Sequence, residues 1–150
     1  MMEQMIYVLQ FSGHAAPVEG ASGVLKAATS APSCEISTRV GAQGVHSELR
    51  PGDGGTALFE SEVTMTGKTS FKESGTITFG EGGNRLRFST VGQGYLGPSA
   101  DPKQSTGAVT WQVDGGEGQF EGATGLITSN FLVSDSGEVI DNHFGVIFLA

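Results

Sequence analysis

The side chains able to do chemistry in this chain are few, and they sit inside alternating runs. Glu73 lies between Phe71 and Ile77 in Thr69–Phe79, where Phe71, Glu73, Gly75, Ile77 and Phe79 share one face. A carboxyl group on an apolar face loses its water, and its pKa climbs toward the range of a general acid or base. If the other face is the inner one, Glu73 is an ordinary solvated carboxylate. Glu60 and Glu62 share a face with Leu58 in Thr56–Thr66. Two carboxylates two positions apart can divide acid and base roles, although Ala57, Phe59, Val63 and Met65 make the more apolar face. His143 shares a face with Val139, Asp141, Ile147 and Leu149. A carboxylate beside an imidazole fixes its tautomer, but positions i and i+2 of a strand lie roughly 6–7 Å apart at the backbone. Contact is therefore not required by the spacing.

Other residues suit ligand contact. Trp111 alternates with Val109 and Val113 and reads as core first, cavity wall second. Asn130 alternates with Leu126, Thr128 and Leu132, so its amide could anchor a ligand carbonyl. Phe71 would wall the space beside Glu73. Tyr95, in Gly92-Gln93-Gly94-Tyr95-Leu96, places a phenol near a strand end, a further candidate for proton transfer.

Several sharper motifs fail on context. Gly92-Gln93-Gly94-Tyr95-Leu96-Gly97 fits the dinucleotide pattern by letter, but Pro98 and Pro102 follow it instead of a helix that could hold a pyrophosphate. There is no Gly-x-Ser-x-Gly elbow. His14, His46, His143 and Cys34 have no zinc spacing. Asp135-Ser136-Gly137-Glu138 is too short for a calcium loop. No metal and no cofactor are expected on these grounds.

The elements that must position these groups are strands. Met5–Phe11, Cys34–Val40 (with Val45–Leu49 continuing it), Thr56–Thr66, Thr69–Phe79, Arg85–Leu96, Val109–Val113, Leu126–Val133 and Val139–Leu149 carry the period of two or the composition of strands. Gly13–Ala31, rich in Gly, Ala, Ser and Pro, predicts a loop or a short turn of helix. Pro51-Gly52-Asp53-Gly54-Gly55 predicts a turn, and Gly97–Ser105 a loop. Residues 1–150 read as one domain with no linker and no internal repeat. About eight sequential antiparallel strands must close or sandwich to hide their edges. The expected fold is an all-β, single antiparallel eight-stranded up-and-down β-barrel.

Composition narrows the partners. Sixteen acidic residues against eight basic ones give a formal charge of −8. That is no footprint for nucleic acid and disfavours an anionic membrane surface. A neutral or apolar small molecule is the easiest ligand to accommodate. One cysteine, Cys34, allows no internal disulfide. The apolar run Met5–Phe11 is too short to span a bilayer, and the start has no secretory pattern, so cytoplasmic residence is the expectation. On the last strand Ile140, Phe144, Val146 and Phe148 make the face opposite His143 apolar too, which favours a homo-oligomer.

The stretch Gly115-Gly116-Glu117-Gly118-Gln119-Phe120-Glu121-Gly122-Ala123-Thr124-Gly125 resembles the Gly-Gly-x-Gly-x-Phe-x-Gly-Ala-x-Gly signature of plant allene oxide cyclases, of which dirigent proteins carry a related version. Phe59-Glu60, then Ile77-Thr78-Phe79-Gly80, then Gly94-Tyr95-Leu96 precede it in a similar order. The likeness covers roughly Thr56 to Leu149. It implies a calycin-like barrel with an apolar cavity, often trimeric, and the cofactor-free ring closure of an unsaturated epoxide. In that family a carboxylate near the end of the first strand steers charge. Val8-Leu9-Gln10-Phe11 puts the neutral amide of Gln10 there, a departure that leaves it as a ligand contact at most. The expectation is a cofactor-independent isomerase or cyclase acting on a hydrophobic oxygenated or polyene molecule. The alternative is a non-catalytic carrier barrel, and a third reading is a packed structural oligomer. The polar inventory of the interior discriminates among the three.

Overall fold

The computed structural model describes residues 2–150. Nine strands form one antiparallel sheet: β1 (Glu3–Pro17), β2 (Val24–Gly41), β3 (Gly44–Met65), β4 (Ser70–Phe79), β5 (Arg85–Thr90), β6 (Gly94–Pro98), β7 (Gln104–Glu117), β8 (Thr124–Ser134) and β9 (Glu138–Leu149). Strands β1 to β5 pair in sequence, β5 pairs with β7, and β7, β8 and β9 continue in order until β9 pairs back with β1. The pairings therefore run round in a ring. Short β6 continues past the end of β5 and bridges β4 to β7. Only a 3-10 turn, Gly118–Phe120, interrupts the strands, and no helix among the described residues is long and apolar enough to cross a membrane.

Alternation explains most of this. In β3, Ala57, Phe59 and Ser61 are buried while Leu58, Glu60 and Glu62 are exposed; in β7, Val109, Trp111 and Val113 are buried. The buried faces together enclose Phe11, Phe59, Phe88, Trp111 and Ile127 in one core. Phe120 closes one end of it, 5.1 Å from the ring of Phe79. Gly118 takes φ 64° to start that 3-10 turn, a conformation open to glycine at little penalty.

Five expectations are corrected. Val45–Leu49 does not continue the strand of Cys34–Val40 but returns beside it, Val40 pairing with Val45 across the turn at Gly41–Gly44. Gly13–Ala31 is not a loop: β1 runs on to Pro17 and β2 starts at Val24, paired with β1 on one side and β3 on the other. Small residues hid a true period of two there, since Leu25, Ala27, Thr29 and Ala31 share the inward face. Pro51–Gly55 is no turn either. It lies within β3 opposite a register shift between Pro32 and Cys34, where the glycines absorb a bulge. Arg85–Leu96 is two strands, parted at Val91-Gly92-Gln93, where Gly92 has φ 69°. In place of a loop over Gly97–Ser105, Pro98 still belongs to β6 and Gln104 already to β7.

Beyond that bulge β2 and β3 leave the ring together as a two-stranded arm. Glu35 pairs with Arg50 and Gly41 with Gly44, and every residue from 35 to 50 is exposed.

Candidate functional site

The inside of the ring is divided along its length. One half is filled by aromatic rings: Phe59 lies 5.3 Å from Phe88, Phe88 lies 4.4 Å from Trp111, and Phe11 lies 4.2 Å from the imidazole of His143. The other half holds a cavity of about 90 Å³. Its walls are mostly apolar, with Leu25, Val63, Phe71 and Phe131 among them, and its polar groups are Thr29, Glu73, Ser129 and Asp141.

Two carboxylates thus face one cavity, and each is held by a serine from the neighbouring strand. Ser61 Oγ donates to Glu73 Oε2 at 2.5 Å, and Ser129 Oγ donates to Asp141 Oδ1 at 2.6 Å. Both contacts are diagonal in the ladder. Ser61 stands opposite Gly75 and Ser129 opposite His143, so each serine reaches the residue two positions before its partner. Gly75 is needed for this arrangement: a Cβ there would run into the Glu60 carbonyl and the Ser61 Cα. Thr90 clasps the Glu73 backbone, its hydroxyl accepting from the N–H and donating to the carbonyl oxygen, both at 2.7 Å.

Burial pushes the Glu73 carboxyl up to about 7, and the Asp141 charge adds to the rise. The Ser61 hydrogen bond and the nearby Trp111 indole oppose it. The indole N–H of Trp111 is buried and favours the charged form of Glu73 without completing a hydrogen bond of good geometry to it. A carboxyl group poised near neutrality both gives and takes protons at the pH of a cell.

Asp141 Oδ2 faces His143 Nε2 at 2.8 Å. The Tyr7 hydroxyl lies 3.4 Å from His143 Nδ1. Burial, with the Asp141 charge behind it, holds the Tyr7 phenol well above its usual range, so it remains a donor. The two ring nitrogens of His143 are thus both occupied, Nδ1 by the Tyr7 hydroxyl and Nε2 by the Asp141 carboxylate. The chain Tyr7–His143–Asp141–Ser129 is buried or nearly so, and only its Asp141–Ser129 end borders the cavity.

The residues singled out in the sequence divide accordingly. Glu73 and Phe71 line the cavity, and Trp111 is fully buried in the aromatic layer beyond it. His143 is buried, and it stands behind Asp141 with both ring nitrogens engaged. The remaining four lie on the other face of the sheet. Glu60 is exposed with Leu58 and Glu62. Asn130 is exposed between Thr128 and Leu132, whose apolar character marks the outside of β8. Tyr95 is 49% exposed because Gly94 and Leu96 take the inward positions of β6, Gly94 against the Phe71 ring, while the Tyr95 ring lies over Gly97 on the outer face. Gln10 faces outward and donates to Asn142 Oδ1 at 3.0 Å.

Thr29, Ser61, Ser129 and Tyr7 were not singled out by sequence reasoning, and Asp141 entered only as a neighbour of His143. Their signal was present: each is a hydroxyl or carboxyl in phase with buried apolar residues, as in Ala27-x-Thr29-x-Ala31 and Ile127-x-Ser129-x-Phe131. No group of three or more His, Cys, Asp or Glu among the described residues is placed to hold a metal ion. No known protein family, curated protein or solved structure matches the chain.

Proposed function

We propose that the ring is an eight-stranded up-and-down barrel of the calycin type, and that the chain is a cofactor-independent isomerase or cyclase. Its substrate is a hydrophobic molecule carrying a carbonyl, hydroxyl or epoxide oxygen. The observation that carries this reading is the convergence of Glu73 and the serine-held Asp141 on one mostly apolar cavity. A carrier needs one anchoring group, and a packed structural barrel needs none. Two carboxyl groups, one of them raised to about 7, are a general acid and base in waiting.

Thr29 supports the oxygenated class. Its hydroxyl is buried at the cavity wall and has no hydrogen-bond partner. A ligand oxygen entering the cavity satisfies it, and a ligand without one leaves it orphaned. Ionised Glu73 then takes a proton from carbon, and the same carboxyl returns it at a second carbon, so the substrate is rearranged with no net change in oxidation. The volume, about 90 Å³, sits below the roughly 300–1,000 Å³ of pockets that engulf drug-sized ligands, so the cavity takes the reacting head of such a molecule. The glycine signature over Gly115–Gly125 and its likeness to allene oxide cyclases point to the same barrel type and the same cofactor-free class.

The test begins with native mass spectrometry of the purified protein and denaturing extraction of what it carries. The extracted molecule is then incubated with the protein in D2O. Deuterium incorporation or rearrangement with the unmodified protein, and its loss in Glu73→Gln, is the expected result. A bound molecule returned unchanged and unlabelled by both would make the chain a carrier.

A further inference from the structure

The arm over residues 35–50 has two unlike faces. Cross-strand partners share a face, so Ile36 with Leu49, Thr38 with Ser47, and Val40 with Val45 make one side. Glu35 with Arg50, Ser37 with Glu48, and Arg39 with His46 make the other. The first side is an apolar stripe with one polar row across it, and it lies in solvent: Val40 is 77% and Val45 72% exposed. A two-stranded hairpin standing alone in water is marginally stable at best.

The outer face of β1, β8 and β9 repeats that pattern. Val8 and Thr128 flank Phe144 in one row, Gln10 and Asn130 flank Asn142 in the next, and Ser12 and Leu132 flank Ile140 in the third. Phe144 is 48% exposed, and a groove beside it is floored by Ala108, Thr110 and Thr128. On both surfaces an apolar row, a polar row and an apolar row follow each other at two-residue steps. With Ile36 and Leu49 against the Phe144 row, Val40 and Val45 fall on the Ile140 and Leu132 row. The hydroxyls of Thr38 and Ser47 then meet the amides of Gln10, Asn142 and Asn130, and the charged side of the arm stays in water.

We infer that the arm docks on the outer β1–β9–β8 face of a second copy of this chain, through Ile36, Val40, Val45 and Leu49. Ile36, Val40, Val45 and Leu49 on the arm and Val8, Leu132, Ile140 and Phe144 on the sheet are each 38–77% exposed, and two reciprocal contacts between these surfaces double what one buries, toward the ~1,200–2,000 Å² of stable interfaces. The inference concerns the outside of the sheet and stands whether or not the cavity is catalytic.

Light scattering on the eluting full-length protein reads the oligomeric state. The intact chain is expected to run as a dimer or higher closed assembly. Val40→Asp with Val45→Asp, and separately Phe144→Asp, are each expected to weaken self-association at least 100-fold while leaving the near-ultraviolet signal of the Trp111 core unchanged. A second measurement does not depend on those variants folding. Ser47→Cys and Asn142→Cys are prepared as two separate proteins, both with Cys34→Ser, and mixed under mild oxidation. A disulfide joining one to the other is expected. A monomeric intact chain, an oligomer unmoved by both sets of substitutions, or the absence of the mixed disulfide overturns the inference.

Discussion

His143 Nε2 and Asp141 Oδ2 lie 2.8 Å apart although the two residues are alternate positions of one strand. Side chains on one face of a strand lean along it, which closes the gap that the backbone spacing leaves. The contact orients Asp141 toward the cavity from behind, while Ser129 fixes its other oxygen. His143 is on this geometry a positioning residue, and the polar groups that border the cavity in front of it include Asp141, Glu73 and Thr29.

Asp141→Asn tests the electrostatic link between the two carboxyl groups. The Asp141 charge is one reason that the Glu73 carboxyl stands at about 7, with burial the larger cause. Removing the charge is expected to lower the Glu73 titration midpoint, read by carbon-13 NMR of the glutamate carboxyls. A midpoint that stays near 7 would leave burial as the whole cause.

Glu73 also makes stability depend on pH, and the sign follows from linkage. Its ordinary value is 4.5 and its folded value about 7. Between these the folded state holds the proton and the unfolded state has lost it, so stability falls as pH rises through that window. The full loss is about 3 kcal/mol, reached above pH 7. Glu73→Gln removes this dependence. The variant is expected to melt above the unmodified protein at pH 8 and to lose that advantage at pH 5, as thermal unfolding across the range will record. Parallel pH profiles for the two proteins would mean that Glu73 titrates normally.

How much of this was legible in the chain differs between the two halves of the site. The phase of Glu73 with Phe71 and Ile77 offered the inside as one of two readings, and the structure has that face of β4 inward. The same reasoning failed for Asn130, because the outside of β8 carries Leu126 and Leu132 and mimics an inner face. Apolar neighbours cannot tell a cavity wall from an exposed patch when both sides of a strand are greasy. The first half of β2 was hidden for the opposite reason. Its inward residues Ala27, Thr29 and Ala31 are small, so the alternation had little amplitude, and the cavity-lining threonine was lost with it. The ring of pairings was partly readable from hairpin-length links. The arm was not, since Pro51–Gly55 reads as a turn until two strands are seen to bulge past it.

Thr29→Val separates stability from ligand recognition. The two side chains have similar shape, and the unpartnered hydroxyl is replaced by a methyl group. Relief of a buried unsatisfied polar group is worth about 1–3 kcal/mol. The variant is therefore expected to melt higher than the unmodified protein. It is also expected to hold the molecule extracted from the intact chain more weakly, as quenching of the single tryptophan, Trp111, would register. A stabilised variant with undiminished binding would place the ligand oxygen elsewhere.

The serine beside Glu73 can be removed in two ways, and they differ in what they disturb. Ser61→Ala deletes the donor to Oε2 and leaves the backbone alone. Because that hydrogen bond favours the charged carboxylate, its loss is expected to raise the Glu73 midpoint above 7. Gly75→Ala reaches the same pair through the backbone, since the new methyl group strikes the Glu60 carbonyl and the Ser61 Cα and must part β3 from β4. It is expected to cost about 1–3 kcal/mol, as overpacking does, and to move the same midpoint. Chemical denaturation and the carboxyl titration together distinguish the two. A Gly75→Ala protein of full stability would show that the strands yield without strain, and an unmoved midpoint in Ser61→Ala would show that the hydroxyl does not tune the carboxyl.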